Sequence, residues 1–135
     1  MECTRIRRVF MDKPLSPAGT IRYLPAMTDA HCIVLCTVPD AATGETLARA
    51  LVEARLAACV NLLPGLTSIY RWQGQVQRDS ELLLMAKTRR DCFAPLCTTL
   101  RGLHPYELPE IIAVPMIDGL PTYLSWIDQS LESPT

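Results

Sequence analysis

Four stretches of the chain are apolar without alternation: Cys32–Val38, Ala58–Leu63, Leu82–Ala86 and Ile111–Ile117. A strand with one wetted face alternates apolar and polar residues, so such runs predict strands covered on both faces. Between the runs the period changes. Leu47, Ala50, Leu51 and Ala54 recur at helical spacing and predict a first helix over about 42–57, with Asp40 or Thr43 as its N-cap. Residues 58–72 read as one long extended stretch, in which Pro64 and Gly65 predict a bulge or bend. Gln73 and Gly74 predict the turn of a hairpin whose second strand ends near Thr88. Asp91 is expected to cap a second helix faced by Phe93, Leu96, Cys97 and Leu100 and ended by Gly102 and Pro105. A fourth strand is expected over about 110–117, where Pro115 fits an edge or a bulge. A last helix opens at Gly119 and Pro121, with Leu124, Ile127 and Leu131 on one side.

The order β-α-β-β-α-β plus a terminal helix predicts an α+β, ferredoxin-like domain: an antiparallel four-stranded sheet with helices on one face. One helical layer covers one face. The second face needs another cover, and no segment is left over to supply it, so copies of the chain are expected to cover one another. The hairpin adds a second reason. Fifteen residues of strand span about 50 Å, which should carry the hairpin past its own sheet. Its unpaired edge favours a neighbour's strand, and head-to-tail pairing that closes gives a ring.

Composition narrows the partners. A chain of 135 residues suits one domain, and 49% hydrophobic with 20% charged residues suits a globular one. Residues 1–30 differ, with Pro14, Pro17 and Pro25, scattered charge and no sustained period. They are expected to form a flexible N-terminal extension to a domain over 31–135. The net charge of −1 gives no reason to expect nucleic acid or an anionic membrane as partner. No apolar run approaches the roughly 18 residues of a membrane span. Arg5, Arg7 and Arg8 precede no apolar stretch, so a secretory signal is not expected. Six cysteines then read as reduced thiols in the cytoplasm.

Several motifs carry a resemblance. Leu35-Cys36-Thr37-Val38-Pro39-Asp40, Arg55 to Asn61, Tyr70-Arg71-Trp72-Gln73-Gly74, Glu81 to Thr88, His104-Pro105-Tyr106, Pro109-Glu110-Ile111 and Tyr123-Leu124-Ser125-Trp126 together resemble the CutA divalent-cation tolerance family. The match runs over about 32–132 in family order. It implies a ferredoxin-like homotrimer similar in architecture to the PII signalling proteins, and a link to divalent metal tolerance with copper as the metal. Cys36 matches the position the family implicates in copper. The histidine pair that precedes Pro-Tyr in some members is here Leu103 and His104, so one of the two is missing.

Thiol and imidazole groups suit copper and zinc. Cys32 and Cys36 lie roughly 13 Å apart along a strand, and Cys92 and Cys97 point about 140° apart on a helix, so neither pair can share an ion. The metal candidates are Cys36, His104 and Glu110, with copper or another divalent cation as ligand. A structural His104 pinning its loop is the competing expectation. Cys59, Tyr70, Trp72, Tyr106, Tyr123 and Trp126 are expected at subunit contacts and clefts. Glu81 and Lys87 each require a partner if buried. Lys87, Arg89 and Arg90 form a candidate anion site next to a helix start. No nucleophile elbow, phosphate loop or zinc-protease motif is present, and no catalysis is expected. The alternative function is a PII-like trimer binding a small anion or partner protein between subunits.

Overall fold

The structure, a computed structural model, describes residues 30–132 of the chain; the extension expected over 1–30 lies outside that range except for Ala30. The elements follow in the order β1 (His31–Val38), α1 (Ala41–Glu53), β2 (Cys59–Trp72), β3 (Gln75–Arg89), a 3-10 turn (Arg90–Cys92), α2 (Phe93–Leu103), β4 (Ile112–Pro115) and α3 (Pro121–Leu131). The sheet order is β2-β3-β1-β4, with all three pairings antiparallel. This is the ferredoxin-like α+β arrangement read from the sequence.

Each boundary has a local cause. Asp40 accepts a hydrogen bond from the Thr43 amide at 2.8 Å and starts α1. Its carboxyl is held below its usual range by that same bond. Against α1, Gly44 lets the helix approach the sheet: a Cβ there would stand 3.1 Å from Leu62 and 3.2 Å from Val38. The helix stops at Glu53, four residues before the expected end. Arg55 takes φ +58°, Leu56 donates to Leu51, and Arg55 donates to Val52, which is a Schellman ending made without glycine. Asp91 does not cap α2 as expected; it faces Arg89 instead, and the 3-10 turn leads into the helix. The strand β4 is also shorter than the 110–117 read from its apolar run. It sits on an edge, and because Met116 donates to the His31 carbonyl in the adjacent pair, Pro115 turns its nitrogen away from β1, where the ladder needs no amide.

Gln73 and Gly74 both have positive φ, +52° and +81°, the geometry of the hairpin turn predicted there. The register slips between Leu63 and Leu66, where Pro64 and Gly65 sit. β1 reaches β3 only as far as the Val38–Leu82 pair, whereas β2 and β3 stay paired from Leu66–Glu81 to Trp72–Gln75. That distal arm extends about 20 Å past the four-stranded part.

The core lies between the sheet and α1 and α2, with Val34, Cys36, Val38, Leu84 and Ala86 facing Leu47, Leu51, Leu96 and Leu100. The opposite face is only partly covered, and the apolar runs of β1 accordingly alternate buried and half-buried. Contrary to the expectation that no segment remained, α3 takes part in covering it. Tyr123 and Asp128 of α3 meet Cys59, His31 and Arg89, whose register places them on that second face. Beyond α3 the face stays open as an apolar row of Leu63, Leu83, Met85, Leu35 and Ile112. Leu63 is 46% exposed and Ile112 48%.

Candidate functional site

Cys36 lies at the end of β1 on the covered face and is fully buried. Its Sγ contacts the Thr37 carbonyl at 3.7 Å. Burial pushes its thiol up to about 12, with the carboxylates of Glu110 and Glu81 and the Cys97 thiol adding to the rise. It is therefore a protonated thiol at neutral pH.

His104 follows α2 and is also buried. Its Nε2 lies 2.9 Å from the same Thr37 carbonyl, and its Nδ1 accepts the Tyr106 amide at 3.1 Å. A ring nitrogen that accepts carries no proton, so the proton is on Nε2 and is donated to Thr37. Both nitrogens are thus engaged by backbone, and His104 pins its loop to β1. The His104 and Tyr106 ring centroids also lie 4.7 Å apart, with the rings tilted by 49°. Tyr106 then donates its hydroxyl to Glu81 Oε2 at 2.6 Å. Burial of the ring, and after it that bond, hold the phenol well above its usual range. Glu81 has the partner its burial demands.

Cys36 and His104 therefore meet at one carbonyl, and Glu110 is near enough for its charge to act on the thiol. They do not form a cage: among the described residues, no three His, Cys, Asp or Glu side chains are grouped to hold one ion. The shared Thr37 carbonyl is the piece that sequence reasoning missed, because a backbone acceptor leaves no residue signature. Among the described residues, Cys36, Cys59 and Cys97 carry free thiols. Cys92 is disulfide-bonded, which departs from the reading of six reduced thiols.

The remaining candidates lie on the distal arm and around α3 on the second face. Tyr70 donates to Asp79 on the distal arm, with Trp72 near its tip. Cys59 Sγ lies 3.5 Å from the Tyr123 hydroxyl, and Tyr123 stacks at 5.4 Å on Trp126. Lys87 donates to Asn61, and the buried Arg89 is held by Asp91 at 2.7 Å and Asp128 at 3.5 Å. Arg90 is exposed on the 3-10 turn. Lys87 and Arg89 are thus each engaged by a neighbour within the chain.

Residues 32–130 match the family model described as CutA1 divalent ion tolerance protein. The chain belongs to this family. The divalent-cation tolerance protein CutA of Thermus thermophilus is 53% identical over 98 residues, covering 73% of this chain and 95% of that protein. A solved structure titled as the divalent cation tolerance protein (Cut A1) of the same organism superposes with a TM-score of 0.73 at 52% identity, covering 74% of this chain and 97% of that one. The chloroplastic CutA protein of Arabidopsis thaliana is 45% identical over 98 residues, and the match spans 54% of its length. That name places one CutA relative in an organelle, so membership of the family does not by itself assign a compartment. Among the described residues no helix is long and apolar enough to cross a membrane.

Proposed function

We propose that this CutA1 family protein serves divalent-cation tolerance as a homotrimer that binds a soft metal ion, copper, without catalysis, in the cytoplasm. Cys36 is the anchoring donor, and His104 and Glu110 are the further donors. The observation that carries this reading is the meeting of the Cys36 thiol and the His104 ring at the Thr37 carbonyl, beside the charge of Glu110. Thiolate and imidazole suit copper better than calcium or magnesium, which need oxygen cages. In the folded chain the thiol is protonated and both imidazole nitrogens are occupied, so this arrangement is a resting state rather than a formed coordination sphere. The open apolar row on the second face supports assembly, since another copy can cover it.

Calorimetry with copper on the wild type, Cys36→Ser and His104→Ala tests the site. Loss of most of the affinity in Cys36→Ser is expected, and equal affinity in all three proteins removes the proposal. No specific observation favours the alternative of a PII-like trimer that binds a small anion or a partner protein between subunits.

A further inference from the structure

We propose that Asp118 and Gly119, in the loop between β4 and α3, are a site of spontaneous aspartate isomerisation, and that the isoaspartate formed there loosens the first turn of α3. The sequence holds a single Asp-Gly pair, and this is it. Both residues are exposed and lie outside the regular elements. Asp118 Oδ1 accepts the Gly119 amide at 2.8 Å. That bond holds the Gly119 nitrogen beside the carboxyl carbon of the residue before it, and glycine has no Cβ to keep the two apart. The other described aspartates are placed differently. Asp40 accepts the Thr43 amide, Asp79 accepts the Tyr70 hydroxyl, and Asp91 and Asp128 face Arg89. Each of these four is followed by a residue with a Cβ inside a regular element, namely Ala41, Ser80, Cys92 and Gln129.

The reaction needs only the protein and water. With the Asp118 carboxyl protonated, the Gly119 nitrogen attacks Cγ and a new C–N bond forms. The nitrogen gives up its proton and Cγ its hydroxyl, and the two leave together as water. Water then opens the cyclic imide at either carbonyl. Attack at Cγ restores aspartate. Attack at the main-chain carbonyl breaks the original peptide bond and leaves the chain running through Cβ and Cγ. The isoaspartate has the composition of aspartate but an extra carbon in the main chain. The packing leaves little room for that carbon. A Cβ on Gly119 would stand 3.0 Å from the Leu124 side chain, and Leu124 packs against the core. Leu120 comes next. Its carbonyl accepts the Tyr123 amide at 2.9 Å and the Leu124 amide at 3.0 Å, and no side chain caps the helix. Displacing Gly119 therefore shifts the residue on which the first turn of α3 hangs. The site is independent of the copper reading above.

The test ages the full chain in its native state at mildly acid pH, which favours protonated carboxyls. Its peptides are then fragmented by electron transfer, which separates isoaspartate from aspartate of equal mass. Isoaspartate at Asp118 is expected at least about tenfold above that at Asp40, Asp79, Asp91 or Asp128, the scale that separates a well-placed nucleophile from a misplaced one. A level at Asp118 no higher than at Asp79, which precedes Ser80, overturns the proposal. Gly119→Ala crowds the attacking nitrogen and should lower the Asp118 level at least about tenfold. An undiminished level in that variant also overturns the proposal, and the wild-type ratio decides alone if the variant does not fold. Amide exchange of the aged wild type reads the consequence for α3. It should quicken over 121–126 in proportion to the isoaspartate, while α1 and α2 stay protected. Isoaspartate at Asp118 with unchanged exchange in α3 overturns the loosening, and so does exchange that quickens equally in α1, because the damage is then general.

Discussion

Arg89 is the largest fully buried side chain of the domain, and it carries a charge. A buried guanidinium is tolerated only with partners, and Asp91 and Asp128 provide them, with His31 sharing Asp128 at 2.9 Å. Arg89→Ala is therefore expected to destabilise the fold by about 3 kcal/mol in urea titrations, because it leaves a cavity and strands the carboxylates that faced it. Asp128→Asn, at a half-exposed position, should lose about 1 kcal/mol. None of this was legible in the sequence. Arg89 reads there as one of three cations of a candidate anion site, since Asp128 lies 39 residues further along the chain. Glu81 and Lys87 were legible in part: apolar neighbours show that each needs a partner, but not that the partners are Tyr106 and Asn61. Cys36 supports a pH prediction. Its thiol ordinarily titrates near 9 and is pushed up to about 12 in the fold. The native state then keeps a proton that the unfolded chain gives up, so this contribution is full below about pH 9 and is lost as the pH rises toward 12. Urea midpoints at pH 8 and pH 10.5 should fall more for the wild type than for Cys36→Ala, and parallel falls would show that Cys36 titrates as an exposed thiol.

The elements most faithful to the sequence are those whose punctuation is chemical. Asp40 caps α1, Pro64 and Gly65 mark the slip in β2, and Gln73 and Gly74 turn the hairpin, because each residue type satisfies a specific backbone demand. The misread boundaries lack such marks. The end of α1 uses Arg55 at a positive φ where glycine would have announced it, and the Arg55 guanidinium is held by the Ser130 carbonyl at 3.1 Å, a contact made only after folding. The run over Ile111–Ile117 is longer than β4 because Ile111 and Met116, which flank the strand, are apolar where they pack on the core. The hairpin gives an element-scale prediction. Gly74→Val places a β-branched residue at φ +81°, which is strained by roughly 1–2 kcal/mol. The distal arm has few core contacts to share that strain, so amide exchange should quicken over 68–79 while 82–88 of β3 stays protected. Exchange rising equally in both parts would mean that the arm and the core open as one unit.

At the scale of the molecule, the apolar runs point to two covered faces, while one chain covers a face and a part. α3 supplies the part, through Tyr123 on Cys59 and Asp128 on His31 and Arg89, and stops there. The rest of the second face is a row whose members come from all four strands, so no local rearrangement hides it without breaking the sheet. Val114, 38% exposed on the edge strand, extends the row to the margin of the sheet, where an unpaired backbone edge also lies. An isolated chain with this surface would associate without order, and a closed ring is the arrangement that removes both the face and the edges at once. At 15.0 kDa per chain, light scattering at micromolar concentration is expected to give about 45 kDa. Leu35 sits at the centre of the row, paired with Met85 on one side and Ile112 on the other. Leu35→Arg should shift the species to 15 kDa or to aggregates, while the helix signal of the separate chain persists, because the side chain points away from the core between the sheet and the helices. A wild-type chain that scatters as a stable, soluble 15 kDa particle would mean that the open row tolerates water. The proposed trimer would then have no physical basis in this fold.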